Sequence, residues 1–334
     1  MKLRYLAFSD RGEALAGRLA EALGGEAFRC NRPFSLAEWT GEAFAQAQGL
    51  VFVGAAGIAV RAIAPFVKSK VSDPAVVVVD ECGRFAVPIL SGHLGGANDL
   101  ARTIAAVCGA TAVVTTATDA NGVFAVDEWA KRQDCRVLDP GKIKEISSAV
   151  LAGKTVRVFS PWPIAGKCPA GVTLAESLED CDVRLDFLVS EGDALRLVPR
   201  VLTLGIGCRR GTSRETLEDA FAALLTRSGV SAEAVCAAAS IDLKREEAGL
   251  LAFCEAHGWP CRFFSAGELE AAPGAFTSSG FVKEVTGVDN VCERSAVLSS
   301  GGTLYWKKSA GNGVTMALAR RRFAPDGRWR NDGE

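Results

Sequence analysis

The sequence predicts an α/β protein with two three-layer α/β domains, each on a mostly parallel sheet, joined by a small middle α/β domain. Short apolar runs alternate with amphipathic stretches from the N-terminus to about residue 134, and the alternation begins again at Val201. Such alternation is typical of parallel sheets covered by helices on both faces. Between the two blocks the pattern loosens, and the stretch SPWPIAGKCPAG concentrates proline and glycine.

The first block opens with an apolar run and then an amphipathic stretch, which predicts a strand followed by a helix. Later strands are predicted where short apolar runs occur, and helices where apolar residues recur every three or four positions. In chain order these elements are strand Leu3–Phe8, helix Glu13–Leu23, strand Leu50–Val53, helix Ala56–Phe66 broken at Pro65, strand Val76–Asp80, helix Gly96–Cys108, strand Ala112–Val114 and helix Ala125–Arg132.

The middle segment predicts one helix in GKIKEISSAVLAG and one strand in TVRVF. The second block predicts alternating strands and helices and ends richer in β-structure. Its elements are strand VLTLGIG, helix Thr212–Arg227, strand AVCAAAS, helix Lys244–His257, strand PCRFF and strands Thr303–Lys308 and Gly313–Ala319. We therefore expect an N-terminal domain at 1–134, a middle domain or connector at 135–199, a C-terminal domain at 200–322 and a flexible tail at 323–334.

Composition excludes several classes of protein. Hydrophobic residues make up 49% and charged residues 23% of the 334 residues, an ordinary globular balance. The net charge of −1 argues against nucleic-acid binding through bulk charge. No apolar run reaches the roughly 18 residues of a membrane helix, and the N-terminus reads as a strand and helix rather than a secretion signal. We expect neither a membrane nor a nucleic-acid partner.

Cysteine usage indicates a reducing compartment. The chain has 11 cysteines, an odd number, and no C-x-x-C pair. Most lie in apolar surroundings, as small buried hydrophobes do. With only two histidines in the chain, no metal site is predicted. We expect a cytoplasmic protein with reduced thiols.

The stretch SGHLGGAN precedes a predicted helix and contains one of the two histidines, His93. It lacks both G-x-x-x-x-G-K-[ST] and G-x-G-x-x-G, so a nucleotide-binding regulator is not favoured. A neutral imidazole could instead take a proton from water, while the amides near Gly95 and Gly96 hold an oxyanion. Glu81 or Asp99 could orient the ring. The alternative is a tight glycine turn in which His93 only caps the helix.

Three groups of segments carry a family resemblance. The first is FVGAAGIAVRAIAPFVKSKVSDPAVVVVDECGRFAVPILSGHLGGANDLARTIA followed by AVVTTATD, the second is LGIGCRRGTS, and the third is SSGFVKEVTGVDNVCERSAVL with KKSAGNGVTMALA. In this order they resemble the CbiG family, the cobalt-precorrin-5A hydrolases of anaerobic cobalamin (vitamin B12) biosynthesis. The resemblance runs from about residue 50 to 320 and is weakest between 135 and 200.

The resemblance implies a reaction. The family opens the ring-A acetate δ-lactone of a corrinoid macrocycle and releases a two-carbon unit as acetaldehyde, giving cobalt-precorrin-5B. No separate cofactor is implied, because cobalt is carried by the substrate. Neighbouring cobalamin-pathway enzymes are possible partners. The family's C-terminal domain also occurs alone in aerobic pathways, so a non-catalytic protein that binds and hands over a corrinoid intermediate is the alternative function.

A large flat substrate decorated with carboxylates needs apolar walls and a rim of cations, which we expect in a cleft between the two outer domains. Thr212 and Glu215 fit a capping box that would leave helix amides for a carboxylate. Ordinary surface charges, turns and helix caps are the alternative for all these positions. The substrate-binding candidates are Ser91, Gly95, Gly96, Asn98, Arg61, Lys68, Lys70, Asp119, Arg209, Arg210, Thr212, Lys283, Asp289 and Asn290. The second histidine, His257, is expected to interact with a helix C-terminus.

Overall fold

The computed structural model describes residues 1–31, 35–69, 72–278, 280, 284 and 286–328. The chain forms two compact units, Met1–Trp129 with Ser147–Lys154, and Ala130–Ile146 with Thr155–Glu334. Parallel strand pairs outnumber antiparallel pairs in each unit, although the C-terminal sheet has two of each kind, and helices pack on the sheets, which confirms the predicted α/β class. No helix among these residues is long and apolar enough to cross a membrane.

The first unit is built on a six-stranded sheet of order β2-β1-β3-β4-β5-β6, in which only the β4–β5 pair is antiparallel. Its strands are β1 (Leu3–Ala7), β2 (Glu26–Arg29), β3 (Gly49–Val53), β4 (Ala75–Val79), β5 (Phe85–Leu90) and β6 (Thr111–Ala112). Its helices are α1 (Asp10–Leu23), α2 (Leu36–Gln46), α3 (Ala56–Ile63), α4 (Ala97–Cys108), α5 (Ala117–Ala120) and α6 (Val126–Arg132), the last of which runs into the second unit.

Two apolar layers cover this sheet. Alternate residues of the central strands point to opposite faces, so Val51 and Val53 pack with α1 and α4 while Leu50 and Phe52 pack with α2 and α3. Every residue of β3 and β4 is buried, as expected for central strands covered on both faces. This arrangement places the loop between β5 and α4 at one end of the sheet.

The second unit contains two five-stranded sheets. The middle sheet has the order β7-β11-β10-β8-β9, and the C-terminal sheet has the order β14-β13-β12-β16-β15. The middle strands are β7 (Cys135–Val137), β8 (Val156–Phe159), β9 (Val172–Leu174), β10 (Val183–Leu185) and β11 (Leu195–Pro199), and the C-terminal strands are β12 (Leu202–Cys208), β13 (Val235–Ile241), β14 (Cys261–Phe264), β15 (Thr303–Gly311) and β16 (Val314–Arg320). Helix α7 (Ile143–Leu151) spans both units, and the C-terminal sheet carries α8 (Arg214–Ser228), α9 (Ala248–Ala256), α10 (Ala266–Glu270) and α11 (Val291–Ser300).

Helix α11 lies very close to strand β12. A Cβ added at Gly205 would lie 1.8 Å from the carbonyl oxygen of Cys292. Glycine at this position therefore allows the helix backbone to approach the sheet. The side chain of Asn290 accepts a hydrogen bond from the amide of Glu293 (2.9 Å) and caps α11.

Most predicted strands and helices are present, with ends shifted by a few residues. Two predictions are corrected. The N-cap of α8 is Ser213, whose Oγ accepts from the amide of Thr216 (3.3 Å), so the predicted capping box of Thr212 and Glu215 is wrong. The helix predicted from Lys244 begins at Ala248. The sequence also missed β2, α2, α5, α10 and four of the five middle strands.

Candidate functional site

The loop containing His93 is a tight turn from the end of β5 to the start of α4. The amides of Gly96, Ala97 and Asn98 donate to the carbonyl oxygens of His93 (2.9 Å), Ser91 (3.1 Å) and Gly92 (2.9 Å), respectively. Gly96 adopts the left-handed conformation with φ 86°. The first amides of the helix are thus used inside the turn, which corrects the prediction that the Gly96 amide is available to an oxyanion.

Two further glycines are required by close packing. A Cβ added at Gly95 would lie 2.3 Å from the Cβ of Ser91, and one added at Gly92 would lie 2.8 Å from Oδ1 of Asn98. The Ser91 hydroxyl is buried beneath this turn and has no hydrogen-bond partner among the described residues. Gly95 and Ser91 therefore shape the turn, and substrate contact is not needed to explain them.

The His93 ring lies among three carboxylates. Nε2 is 2.9 Å from Oδ2 of Asp119, Nδ1 is 3.1 Å from Oδ2 of Asp127, and Nε2 is 3.6 Å from Oε1 of Glu128. The Thr118 hydroxyl lies 3.5 Å from Nε2. All three carboxylate side chains are less than 10% exposed, with values of 8%, 6% and 8%. We call His93, Asp119, Asp127 and Glu128 the His93 cluster.

The surroundings keep His93 protonated. Burial by itself would lower the pKa of the imidazole, but hydrogen bonds to Asp119 and Asp127 and the charges of Asp127 and Glu128 together raise the pKa of His93 to about 10. A ring whose two nitrogens both face carboxylates must donate from both. His93 is therefore an imidazolium at neutral pH, which corrects its predicted role as a neutral general base.

Asp119 is fixed by four neighbours. Its Oδ2 accepts from Asn98 Nδ2 (3.1 Å) and from the hydroxyl of Thr116, and its Oδ1 pairs with Arg102. Burial raises the pKa of Asp119, but hydrogen bonds from His93 and Thr116 and the charges of His93 and Arg102 hold it well below its usual range. Asp119 and Asn98, which is only 1% exposed, thus contact other residues of the protein, and their role in substrate binding stays a prediction.

Glu128 differs from the other carboxylates because it titrates near neutrality. Burial raises the pKa of Glu128 to about 7, against the opposing effect of the His93 charge, and the charges of Asp119 and Asp99 add to the rise. A buried carboxyl with such a pKa can take up and release a proton at physiological pH. Sequence reasoning missed Asp127 and Glu128. The segment FAVDEWA, with two adjacent acids among apolar residues, was the available signal.

The two carboxylates predicted to orient His93 are not its partners. Glu81 accepts a hydrogen bond from the hydroxyl of Ser9 (2.6 Å), and Asp99 pairs with Arg102 (3.3 Å) in the first turn of α4. Asp119 and Asp127 orient the ring instead. The orienting role proposed for Glu81 and Asp99 is therefore wrong, although the charge of Asp99 still acts on Glu128.

The cluster also contains a possible set of metal ligands. His93, Asp119 and Glu128 bring one imidazole nitrogen and two carboxylate oxygens within 4.8 Å of one another. A divalent cation could bind there only after the imidazolium lost its proton, because a protonated ring nitrogen has no lone pair to donate.

The predicted cations of the first unit lie outside the His93 cluster. Arg61 donates to the carbonyl of Gly57 (2.9 Å) in its own helix, and Lys68 is exposed after α3. Lys70 falls outside the described residues. Their role in substrate binding remains a prediction.

The candidates of the C-terminal block converge on a second feature, a cavity of about 900 Å³ within the second unit. Arg209, Arg210, Asp289 and Asn290 all line this cavity. Asp289 is paired with Arg294 (2.9 Å), and Asn290 caps α11, as the alternative interpretation predicted.

Three further residues of the C-terminal block were singled out in the sequence, namely Thr212, Lys283 and His257. Thr212 donates its hydroxyl to the carbonyl of Arg209 (2.8 Å) next to the cavity, and Lys283 falls outside the described residues. His257 is at the C-terminus of α9, as predicted, stacked on Trp259 and 2.9 Å from Glu218.

Three family models match successive parts of the chain. Cobalamin synthesis G N-terminal matches residues 38–119, the cobalamin biosynthesis central region matches 124–199, and cobalamin synthesis G C-terminus matches 202–319. The first match ends at Asp119, so it contains His93 but not Asp127 or Glu128.

Whole-chain relatives agree with these models. A protein from Salmonella typhimurium named cobalt-precorrin-5A hydrolase is 35% identical, over 92% of this chain and 94% of its own length. A protein of the same name from Priestia megaterium is 32% identical, over 83% of this chain and 79% of its own. Protein CobE from a Sinorhizobium species is 31% identical over 35% of this chain and 79% of its own length. The chain therefore belongs to the CbiG (cobalamin synthesis G) family.

Proposed function

We propose that this chain is a cobalt-precorrin-5A hydrolase of cobalamin biosynthesis, which opens the substrate lactone and releases acetaldehyde. Family membership supports the substrate and the class of reaction. The observation that carries the chemistry is the His93 cluster, in which a largely buried imidazole lies 2.9 Å and 3.1 Å from Asp119 and Asp127 and 3.6 Å from Glu128.

Lactone opening needs a proton acceptor for water and a positive group near the carbonyl oxygen. In the proposal, the Glu128 carboxylate takes a proton from water as the water oxygen bonds to the acyl carbon. The bond from that carbon to the ring oxygen then breaks, and the leaving oxygen receives a proton to become a hydroxyl. Asp119 and Asp127 hold the two N–H groups of the His93 imidazolium, and the charge of this ring opposes the effect of burial on Glu128, so that Glu128 can ionise and act as the base.

The second step releases the two-carbon unit. A base removes the proton of the freed hydroxyl, the adjacent carbon–carbon bond breaks, and the carbonyl of acetaldehyde forms. The electron pair of the broken bond remains on the macrocycle carbon, which then takes up a proton. Glu128 suits both transfers because its pKa of about 7 allows it to accept and return a proton at neutral pH. Cobalt enters these steps as part of the substrate.

The test is acetaldehyde release from cobalt-precorrin-5A under anaerobic conditions, followed by a coupled alcohol dehydrogenase assay. We expect release with the wild-type chain, strongly reduced release with His93→Gln, and wild-type rates with Glu21→Gln, an exposed carboxylate change on α1. Binding of substrate without any acetaldehyde would refute the hydrolase and favour the handover protein. Full activity of His93→Gln would remove the His93 cluster from the reaction.

A further inference from the structure

The cavity of the second unit is lined by the C-terminal sheet and by the start of a helix that packs on it. The C-terminal end of β12 contributes Gly207 and Cys208, the start of α11 contributes Val291, and the turn of the β15–β16 hairpin contributes 310–315. Its volume of about 900 Å³ lies at the upper end of the range for small-molecule sites. A single inorganic ion would leave most of that volume empty.

The charges that line the cavity are unbalanced. Glu247 is satisfied by Lys244 (3.0 Å) and by the amide of Gly211, and Asp289 is paired with Arg294, which does not line the cavity. The lining cations that remain are Arg209, Arg210 and Lys308. None of these three has a carboxylate partner within 4.0 Å among the residues that the structure describes. The cavity is therefore prepared for an anionic ligand.

Arg209 is held against the hairpin that closes one side of the cavity. Its amide donates to the carbonyl of Gly313 (3.1 Å), and Gly313 has φ 75°. A Cβ added at Gly313 would lie 2.8 Å from Cδ of Arg209. The missing side chain of Gly313 thus leaves the space that the Arg209 side chain occupies.

Apolar side chains supply the rest of the wall. Ile241, Val291 and Val314 are buried in the protein and face the cavity, while Leu243 lines it with 67% of its surface exposed. Leu243 therefore adds apolar surface to the cavity next to its cations. Apolar walls with a few cations fit a large flat molecule that carries several carboxylates.

We infer that this cavity of the second unit binds a polycarboxylated macrocycle through Arg209, Arg210 and Lys308. Naming the ligand as the substrate rests on the proposed function, whereas the ligand class follows from the cavity itself. The described residues that line this cavity belong to one unit, and the cleft predicted between the two outer domains stays a prediction.

The experiment titrates the full chain with uroporphyrin III, an octacarboxylated porphyrin without a lactone, and follows its absorbance. We expect saturable binding to the wild type. Arg209→Gln/Arg210→Gln should raise the Kd at least about tenfold, because two charge-assisted contacts to ligand carboxylates are lost. The matched control is Arg214→Gln/Arg227→Gln, two exposed arginines of α8 that do not line the cavity, and its Kd should stay within about twofold.

Leu243→Asp gives a second variant that does not disturb the core, since Leu243 is 67% exposed. The added carboxylate should weaken binding by repulsion. A Kd for wild type above about 0.1 mM, or equal affinity of both double variants, would overturn the inference.

Turnover separates this inference from the proposed function. Loss of the two cavity arginines should raise KM for cobalt-precorrin-5A and leave kcat nearly unchanged, whereas Glu128→Gln should lower kcat and leave porphyrin affinity unchanged. Porphyrin binding that depends on Arg209 and Arg210 without any turnover would uphold the cavity and refute the hydrolase. Turnover of cobalt-precorrin-5A, together with a porphyrin affinity that is the same in Arg209→Gln/Arg210→Gln and the wild type, would uphold the hydrolase and refute the cavity as the binding site.

Discussion

Glu128→Gln is the change that most sharply separates proton transfer from packing in the His93 cluster. Glutamine has nearly the same shape as glutamate, but it is uncharged and cannot accept a proton. The substitution should lower kcat by about a hundred- to ten-thousand-fold, the usual contribution of a general acid or base. KM should change little, because Glu128 does not belong to the cation-lined cavity.

The same substitution should have a pH-dependent effect on stability. The pKa of Glu128 is raised from its ordinary 4.5 to about 7, which corresponds to about 3 kcal/mol at about 1.4 kcal/mol per pH unit. A carboxyl group whose pKa is raised on folding stabilises the folded state at pH values below the pKa of the unfolded chain. This contribution is lost as the pH rises through the pKa of the folded protein. Relative to Glu128→Gln, the wild type should therefore lose about 3 kcal/mol between about pH 4.5 and 7.

The assay combines turnover at neutral pH with urea unfolding at several pH values between about 4.5 and 8, for the wild type, Glu128→Gln and the exposed control Glu21→Gln. The control should follow the wild type in both readouts. Wild-type kcat in Glu128→Gln would refute the proton-transfer role. A stability difference between the two proteins that is the same at every pH would refute the raised pKa.

The other predictions concern the same unit. Turnover of the wild type should rise as pH passes about 7, where Glu128 ionises, and fall toward about 10, where His93 loses its proton; a flat stopped-flow profile would contradict this. His93→Gln should lower the free energy of unfolding by about 3–5 kcal/mol at neutral pH, because buried carboxylates lose their cation. By urea unfolding, this loss should shrink as the pH rises from about 6.5 to about 10, and a constant loss would contradict the imidazolium. Gly95→Ala should lower the free energy of unfolding by about 1–3 kcal/mol and reduce turnover, since its Cβ would lie 2.3 Å from the Cβ of Ser91. Gly17 lies in α1, where an added Cβ would meet no other atom within 4 Å, so Gly17→Ala should instead raise the melting temperature by the equivalent of about 1 kcal/mol. The same change in melting temperature for both alanine variants would contradict the packing argument.

Local pattern was enough to predict much of the fold. Strands such as Leu202–Cys208 and helices such as Ala97–Cys108 have continuous apolar runs or clear helical periodicity, and both are found within a few residues of the predicted bounds. The middle strands could not be found this way. Val172–Leu174 and Val183–Leu185 have three residues each, and their pairing with distant strands rather than their own pattern makes them strands.

The His93 cluster shows where sequence reasoning stops. The histidine itself stood out because histidine is rare in this chain. Its protonation state depends on carboxylates 26 and 34 residues away, and proximity across such separations is not visible in a local pattern. Closeness in sequence favours Glu81 and Asp99 as partners of His93, whereas its actual partners Asp119 and Asp127 lie on α5 and α6.

The most direct test of the central claim, that this chain adds water to a lactone, is the reaction of cobalt-precorrin-5A in ¹⁸O-labelled water with mass spectrometry of the macrocycle. If water attacks the acyl carbon, the product of the wild-type chain carries a single ¹⁸O atom in the carboxylate freed from the lactone. Product without the label, or substrate recovered unchanged with active, folded protein, would contradict the hydrolase.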